Sequence, residues 1–330
     1  MHMADALLSP AVGGTMLAVS AGVLACSVRD VRKNFQESRI PLMGVAGAFV
    51  FAAQMVNFAI PGTGSSGHIG GAVLLAALLG PSPAFIVMAG VLLIQALFFA
   101  DGGLLAWGCN LFNLGFFGCF LAYPYVFRPI AGRTLSRGRI FAASLAACIV
   151  SLELGAFSVT LETLLSGVTE LPFGAFVAVM MPIHLAIAVG EGLATGTVLL
   201  FVRRHLPEAD SLRLEEEKFS PGRLTLVLGA AALLIGGGLS LLASGDPDGL
   251  EWSMARTAGS AELERSGAIH TFFANLAEKF ALLPDYAFPG SDAPLGTAVA
   301  GIAGVLLCAG ILGFCAYLVC RKTIRRRAMK

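Results

Sequence analysis

Charge is scarce in this chain. Asp, Glu, Lys and Arg make up 13% of its 330 residues, hydrophobic residues reach 56%, and mean hydropathy is +0.80. Soluble domains carry about 25% charge, so the composition excludes an ordinary water-soluble globule and indicates a polytopic membrane protein. No G-x-x-x-x-G-K-[ST] phosphate loop occurs, so the chain does not drive transport with ATP by that device and any ATPase has to be a partner. A dinucleotide-binding glycine fingerprint and cysteines paired at zinc-ligand spacing are also missing. The seven cysteines all lie inside or at the ends of apolar segments, which argues against a disulfide framework and reads as small residues in helix packing. No basic residue precedes the first apolar segment, so no secretory leader is expected, although Val23-Leu24-Ala25-Cys26 is similar to a lipoprotein cleavage site. Met1 is expected to stay in place before the bulky His2, leaving a free α-amine.

What the sequence has in abundance is apolar runs, at roughly 11–27, 41–59, 68–80, 82–100, 106–127, 139–165, 173–203, 222–244 and 295–320. A helix needs about 20 residues to cross a bilayer, so nine hydrophobic helices are expected, the third of them short. Cytoplasmic loops accumulate Lys and Arg. With the N-terminus outside, nineteen of the 22 Lys and Arg fall on the inner side, and the exceptions, Arg256, Arg265 and Lys279, share one long outer loop. The expectation is a bacterial cytoplasmic (inner) membrane protein with its N-terminus outside and its C-terminus in the cytoplasm. The fold class expected is all-α: a seven-helix bundle over 1–204, a charged cytoplasmic linker at 205–222, and a part spanning 223–330 in which two helices flank an external loop, 245–294. Turn signals at GDPDG, LLPDYAFPG and SDAP make that loop a small external domain.

Two outer histidines suggest the chemistry. The Met1 amine, the backbone nitrogen of His2 and its Nδ1 can close a five-membered and a six-membered ring on one cation, leaving one corner of a planar set open. His68, in PGTGSSGH, can fill it, because Pro61 and the glycines break the helix and irregular backbone near membrane depth survives where protein or water satisfies it. Planar nitrogen donors that include a deprotonated amide favour Ni(II) or Cu(II) over ions that want oxygen cages. Other polar residues compete. His184 lies seven residues before Glu191, two turns along one helix, so the two can share a face as an intramembrane ionisable pair or simply satisfy each other. Asp101 stands at an outer boundary, and Asn110 and Asn113 lie one turn apart in an apolar helix, where bonding between helices is the expected role. His205 and His270 read as solvated surface. Small residues on one side of the first helix, Ala18, Gly22 and Cys26 with Ala21 and Ala25, suit internal packing first and docking to a partner second.

The segments MHMADALLSPAVGG, PGTGSSGHIGGAVLLAALLGP, ADGGLLAWGCNLFNLG and HLAIAVGEGLATG resemble, in order over residues 1–204, the NikM/CbiM substrate-binding components of energy-coupling factor transporters for nickel or cobalt. The later part, with DPDGLEW, resembles the small NikN-type or CbiN-type partner, here fused as in NikMN. The resemblance implies a non-catalytic capture component of an ATP-driven importer. It implies Ni(II), or alternatively Co(II), as substrate with no organic cofactor, a transmembrane coupling protein of NikQ/CbiQ type, ATP-binding subunits of NikO/CbiO type and no nucleic acid. It implies that the ion is held by Met1, His2 and His68, with Asp5, Ser65 and Ser66 orienting the imidazoles. Many members begin MHIxxGFL, and this chain lacks the glycine after Asp5. The fused architecture and the planar donor set favour nickel.

Two rivals belong to other classes. Gly64-Ser65-Ser66-Gly67 with His184 resembles the Ser-His pair of rhomboid-type intramembrane proteases. A secondary transporter moving the ion without any ATPase is the other.

Overall fold

Proline and glycine cut the apolar runs into helices of unequal length. The computed structural model describes residues 1–33, 39–132, 135–205, 222–265, 267–291 and 293–328, so the expected linker lies, from 206 to 221, outside the described residues. The helices are α1 Pro10–Lys33, α2 Ile40–Gln54, α3 Ala72–Leu79, α4 Pro81–Phe98, α5 Trp107–Ala131, α6 Arg137–Leu165, α7 Phe173–His205, α8 Gly222–Gly237, α9 Gly249–Ala258, α10 Ala268–Phe280 and α11 Pro294–Ala328. Proline sits at the first position of α1, α4 and α11, where its fixed φ suits a helix start and its missing N–H costs nothing.

Six of these helices, α1, α4, α5, α6, α7 and α11, are long and apolar enough to span a membrane. The protein is a mostly helical, multi-pass membrane protein. Helices α2 and α8 are apolar but shorter. The eight residues of α3 rise only about 12 Å, far short of the roughly 30 Å hydrocarbon core, and they are buried throughout. Helix α5 winds with wide, π-type turns over Phe112–Phe127, around Pro124.

One departure from an all-helical fold sits between α2 and α3. Strands β1 Phe58–Ile60 and β2 Ser65–Gly67 pair antiparallel across the turn at 61–64, where Gly62 and Gly64 take φ of +77° and +72°. Those positive angles suit glycine alone without strain, which is why the loop folds back on itself instead of running on as helix.

The C-terminal part packs directly on the first. Helix α11 lies against α2 and α8, and α8 against α2. The contact is close because small residues line it: a Cβ on Gly44 would fall 2.6 Å from the Ala309 carbonyl oxygen, and one on Gly301 would strike Gly236. At one end of the bundle the N-terminal residues, the β-hairpin, the segment after α4 and residues 244–286 converge, joined by bonds such as Ser66 N–H to Pro247 O (2.8 Å) and Leu282 N–H to Phe98 O (3.0 Å). At the other end Arg39 donates to Leu79 O and Arg32 to Val319 O. The small-residue side of α1 is not used internally: Ala18, Ala21, Gly22, Ala25 and Cys26 are exposed, against the expectation of internal packing.

Candidate metal-ion site

The chain's first eight residues are threaded into the bundle. Met3, Leu7 and Leu8 are fully buried. Asn110 on α5 grips the Met3 backbone at both ends, accepting its N–H at Oδ1 (2.7 Å) and donating from Nδ2 to its carbonyl (3.1 Å). Gly103 N–H donates to the same carbonyl (2.9 Å), and Asp5 Oδ1 accepts from Ala106 N–H (2.9 Å) at the start of α5. Glycine is required at 103, since a Cβ there would meet the Asp5 carboxylate at 1.8 Å. His270 on α10 is buried, with Nε2 bonded to Leu8 O at 2.9 Å. It was expected on the solvated surface; its helix instead covers the N-terminal segment, which supplies a backbone acceptor.

Anchored this way, the Met1 amine lies 3.1 Å from His68 Nε2 and donates to Asp248 Oδ2 at 2.7 Å. His68 Nδ1–H donates to Ile69 O (3.1 Å), which leaves the Nε2 lone pair facing the amine. Asp248 caps α9, accepting from Leu250 and Glu251 N–H at 2.8 and 2.9 Å, while Glu251 accepts from Asp248 N–H at 3.0 Å. Its other oxygen is thereby aimed at Met1. His2 stacks on His68 with ring centroids 5.0 Å apart and planes 10° apart. Its Nδ1 bonds Asp101 Oδ1 at 2.9 Å and its Nε2 has no partner. Tyr286 donates to the second Asp101 oxygen at 2.5 Å. Two nitrogens bound to one metal at about 2 Å and a right angle stand roughly 2.9 Å apart, so the amine and His68 Nε2 are already spaced as neighbouring corners of a planar site.

The electrostatics keep the His68 donor free of a proton. Burial, then the positive Met1 amine and His2, lower the His68 pKa to about 3, so its imidazole is neutral at any physiological pH. Burial alone would raise the Asp248 carboxyl, but the Met1 amine and His68 beside it hold it well below the usual range. Asp101 is likewise held low against the cost of burial, by His2 and by the Tyr286 hydroxyl. Both stay ionised.

The remaining sequence candidates bond elsewhere, although His184 Nε2 is buried without a partner and borders the same small space as Met1, His68 and Asp248. Ser65 and Ser66 turn their hydroxyls to the backbone of 246–247, the closest bond being Ser66 Oγ to Asp246 O at 2.7 Å, and so tie the hairpin to the C-terminal part. Asp5 holds the α5 start. His184 and Glu191 do not bond each other: His184 Nδ1 bonds Met180 O at 2.8 Å, whereas Glu191 accepts from Gly70 and Gly71 N–H, both at 2.9 Å. Two bare glycine amides behind the His68 loop are a better match for a buried carboxylate than an imidazole on the same helix. Ser66 and His184 share no hydrogen bond either, so the Ser-His pair of a protease does not form. Asn113 bonds Glu162 between helices as expected, at 2.8 Å. Among the described residues no three His, Cys, Asp or Glu side chains form a metal cluster; what converges is two imidazoles on a chain terminus. Sequence reasoning missed Asp248 and gave Asp101 and Asn110 no part in the site. The helix-capping signature Asp248-x-x-Glu251 was the available signal for the first.

Comparison with known proteins gives the family. Residues 2–209 match the CbiM family model, described as the cobalt uptake substrate-specific transmembrane region, and residues 222–321 match the PDGLE domain. The chain is 33% identical to the putative fused nickel transport protein NikMN of Archaeoglobus fulgidus, over 93% of this chain and 95% of that protein. It is 31% identical to the fused nickel transport protein NikMN of Rhodobacter capsulatus, over 99% and 100%. A crystal structure of a truncated transition metal transporter superposes with a TM-score of 0.55 at 30% identity, covering 62% of this chain and 99% of that one.

Proposed function

Since the chain belongs to the CbiM family and is a nickel/cobalt transport component, we propose that it captures Ni(II) from the outer side of the bacterial cytoplasmic membrane and is driven by ATP hydrolysis in partner subunits. The ligands are the Met1 amine, the backbone nitrogen and Nδ1 of His2, and Nε2 of His68. The observation that carries the reading is the buried Met1 amine, 3.1 Å from the unprotonated Nε2 of His68. Loading releases a proton from the Met1 ammonium and one from the His2 amide to solvent, shifts the His2 ring proton from Nδ1 to Nε2 and takes Nδ1 to the ion, after which Asp101 can receive Nε2–H, the arrangement that orients most metal-bound imidazoles. Asp248 balances the charge that ammonium carries before loading and that the metal carries after it. Co(II) is the alternative ion for the same donors, and the planar set favours nickel.

Residues 1–204 form the capture domain, 205–222 the cytoplasmic linker and 223–330 a NikN/CbiN-like part whose external residues, 245–294, help load the site. The exposed small-residue side of α1 is assigned to the coupling protein of NikQ/CbiQ type, which joins the chain to ATP-binding subunits of NikO/CbiO type; Gly22→Leu is expected to weaken that assembly in co-purification, and unimpaired assembly and uptake would remove the assignment. The test of the site is Ni(II) and Co(II) binding by calorimetry and absorbance to the wild type, His2→Ala, His68→Ala and a chain with one extra residue before Met1. Loss in all three variants, with a yellow planar-nickel band in the wild type, supports the chelate. Undiminished binding to the extended chain refutes it.

A further inference from the structure

A cavity of about 1000 Å³ opens between the two parts of the chain, and His2 and His68 stand in its wall. Seven carboxylates line it. Asp5, Asp101 and Asp248 lie near the histidines, and Glu251, Glu262, Glu264 and Asp285 lie farther out; among the described residues no Lys or Arg does. Glu251, Glu262 and Glu264 are exposed, while the His2 side chain is 8% exposed and its Nε2 is without a partner. The cavity therefore runs from an acidic rim to an unsatisfied nitrogen donor. Behind it, against Met1, His68 and Asp248, the free space shrinks to about 10 Å³, room for roughly one water.

Those two volumes fix the order of events for an ion. A dication with six waters occupies about 180 Å³ at ~30 Å³ per water, which fits the outer cavity and not the inner one. We infer that the cavity is a receiving vestibule for the fully hydrated, uncomplexed dication, held first by the carboxylates with its waters intact and stripped of them only on passing to His2, His68 and the Met1 amine. This rests on the metal-capture reading above. It names the substrate as the free aqua ion: metal presented as an anionic chelate is repelled by the same carboxylates that concentrate the cation. Clefts of one sign of charge raise the rate of association by about 10- to 1000-fold, and salt removes the gain.

The test is stopped-flow binding of NiCl₂ and CoCl₂ to the full chain in nanodiscs, comparing the wild type with Glu262→Gln/Glu264→Gln and Glu262→Lys/Glu264→Lys. Both side chains are exposed and neither makes a side-chain hydrogen bond that the fold needs, so these variants are expected to fold. At low salt the on-rate falls stepwise, by about tenfold or more in the lysine variant, the difference closes near 1 M salt, and the absorbance of the bound metal is unchanged. Nickel supplied with excess citrate loads the wild type at the rate set by the residual free ion. An on-rate and salt slope that survive charge reversal, or capture of the citrate complex at its full concentration, overturns the vestibule while leaving the site standing. Wild-type binding that is indifferent to His2→Ala overturns the site and the vestibule with it.

Discussion

Asn110→Ala isolates how the N-terminus is held. The substitution removes the acceptor of the Met3 N–H and one of two donors to the Met3 carbonyl, which keeps Gly103 N–H. A buried N–H left without an acceptor costs about 1–3 kcal/mol, and the second bond adds about 1 kcal/mol. The docked N-terminal segment is thus weakened by roughly 2–4 kcal/mol relative to a released one, a factor of about 30 to 800 in the released population. The Met1 amine is buried when docked and reacts only when released, so its labelling rate by a small amine-specific reagent reports that population directly. The expected outcome is a labelling rate at least 30-fold faster in Asn110→Ala, with weaker Ni(II) binding in parallel. Asn113→Ala, which breaks a bond to Glu162 and a weak one to the Met3 sulfur but leaves the Met3 backbone held, is the control and raises amine labelling far less. An increase under threefold in Asn110→Ala would refute the idea that this side chain holds the terminus.

Three further expectations follow from the same geometry. Glu191→Gln keeps one acceptor for two glycine N–H groups and loses a charge-assisted bond of about 1.5–3 kcal/mol, so calorimetry should show metal affinity at least tenfold weaker with helix content retained; an unaltered Kd would detach Glu191 from the positioning of His68. Gly103→Ala places a methyl on Asp5 and should abolish binding, whereas Gly14→Ala, with open space around it, should not; equal binding in the two variants would count against the docked N-terminus. The lowered pKa of His68 sets a pH dependence of stability: the unfolded imidazole takes up a proton below about 6.5 and the folded one only near 3, so stability falls as pH drops through that window, by up to about 1.4 kcal/mol per unit. His68→Gln should therefore flatten the denaturation midpoint between pH 4.5 and 6.5 relative to the wild type, and parallel profiles would contradict the buried, neutral imidazole.

The local features of this protein were written in its sequence. Apolar run length gave the long helices, because bilayer thickness and helix rise convert a residue count into a span without reference to neighbours, but of the nine runs only six form helices long enough to cross among the described residues. Pro61 with Gly62 and Gly64 announced the break that carries His68, since backbone dihedrals are a local property, although the pairing of that break as a hairpin was not foreseen. The positions of His2 and His68 marked both as candidate ligands. Tertiary structure decided what those features meet. Asp248 reaches the Met1 amine from 247 residues away, and His270 reaches Leu8 from 262 away, only because α8 and α11 pack on α2 and carry the residues between them over the N-terminus. Glu191 looked like a partner for His184 on the same helix and instead took the amides of Gly70 and Gly71. A buried polar group is satisfied by whichever complementary group the packing brings within 3 Å, and helical periodicity gives the direction in which a side chain points without giving what stands there.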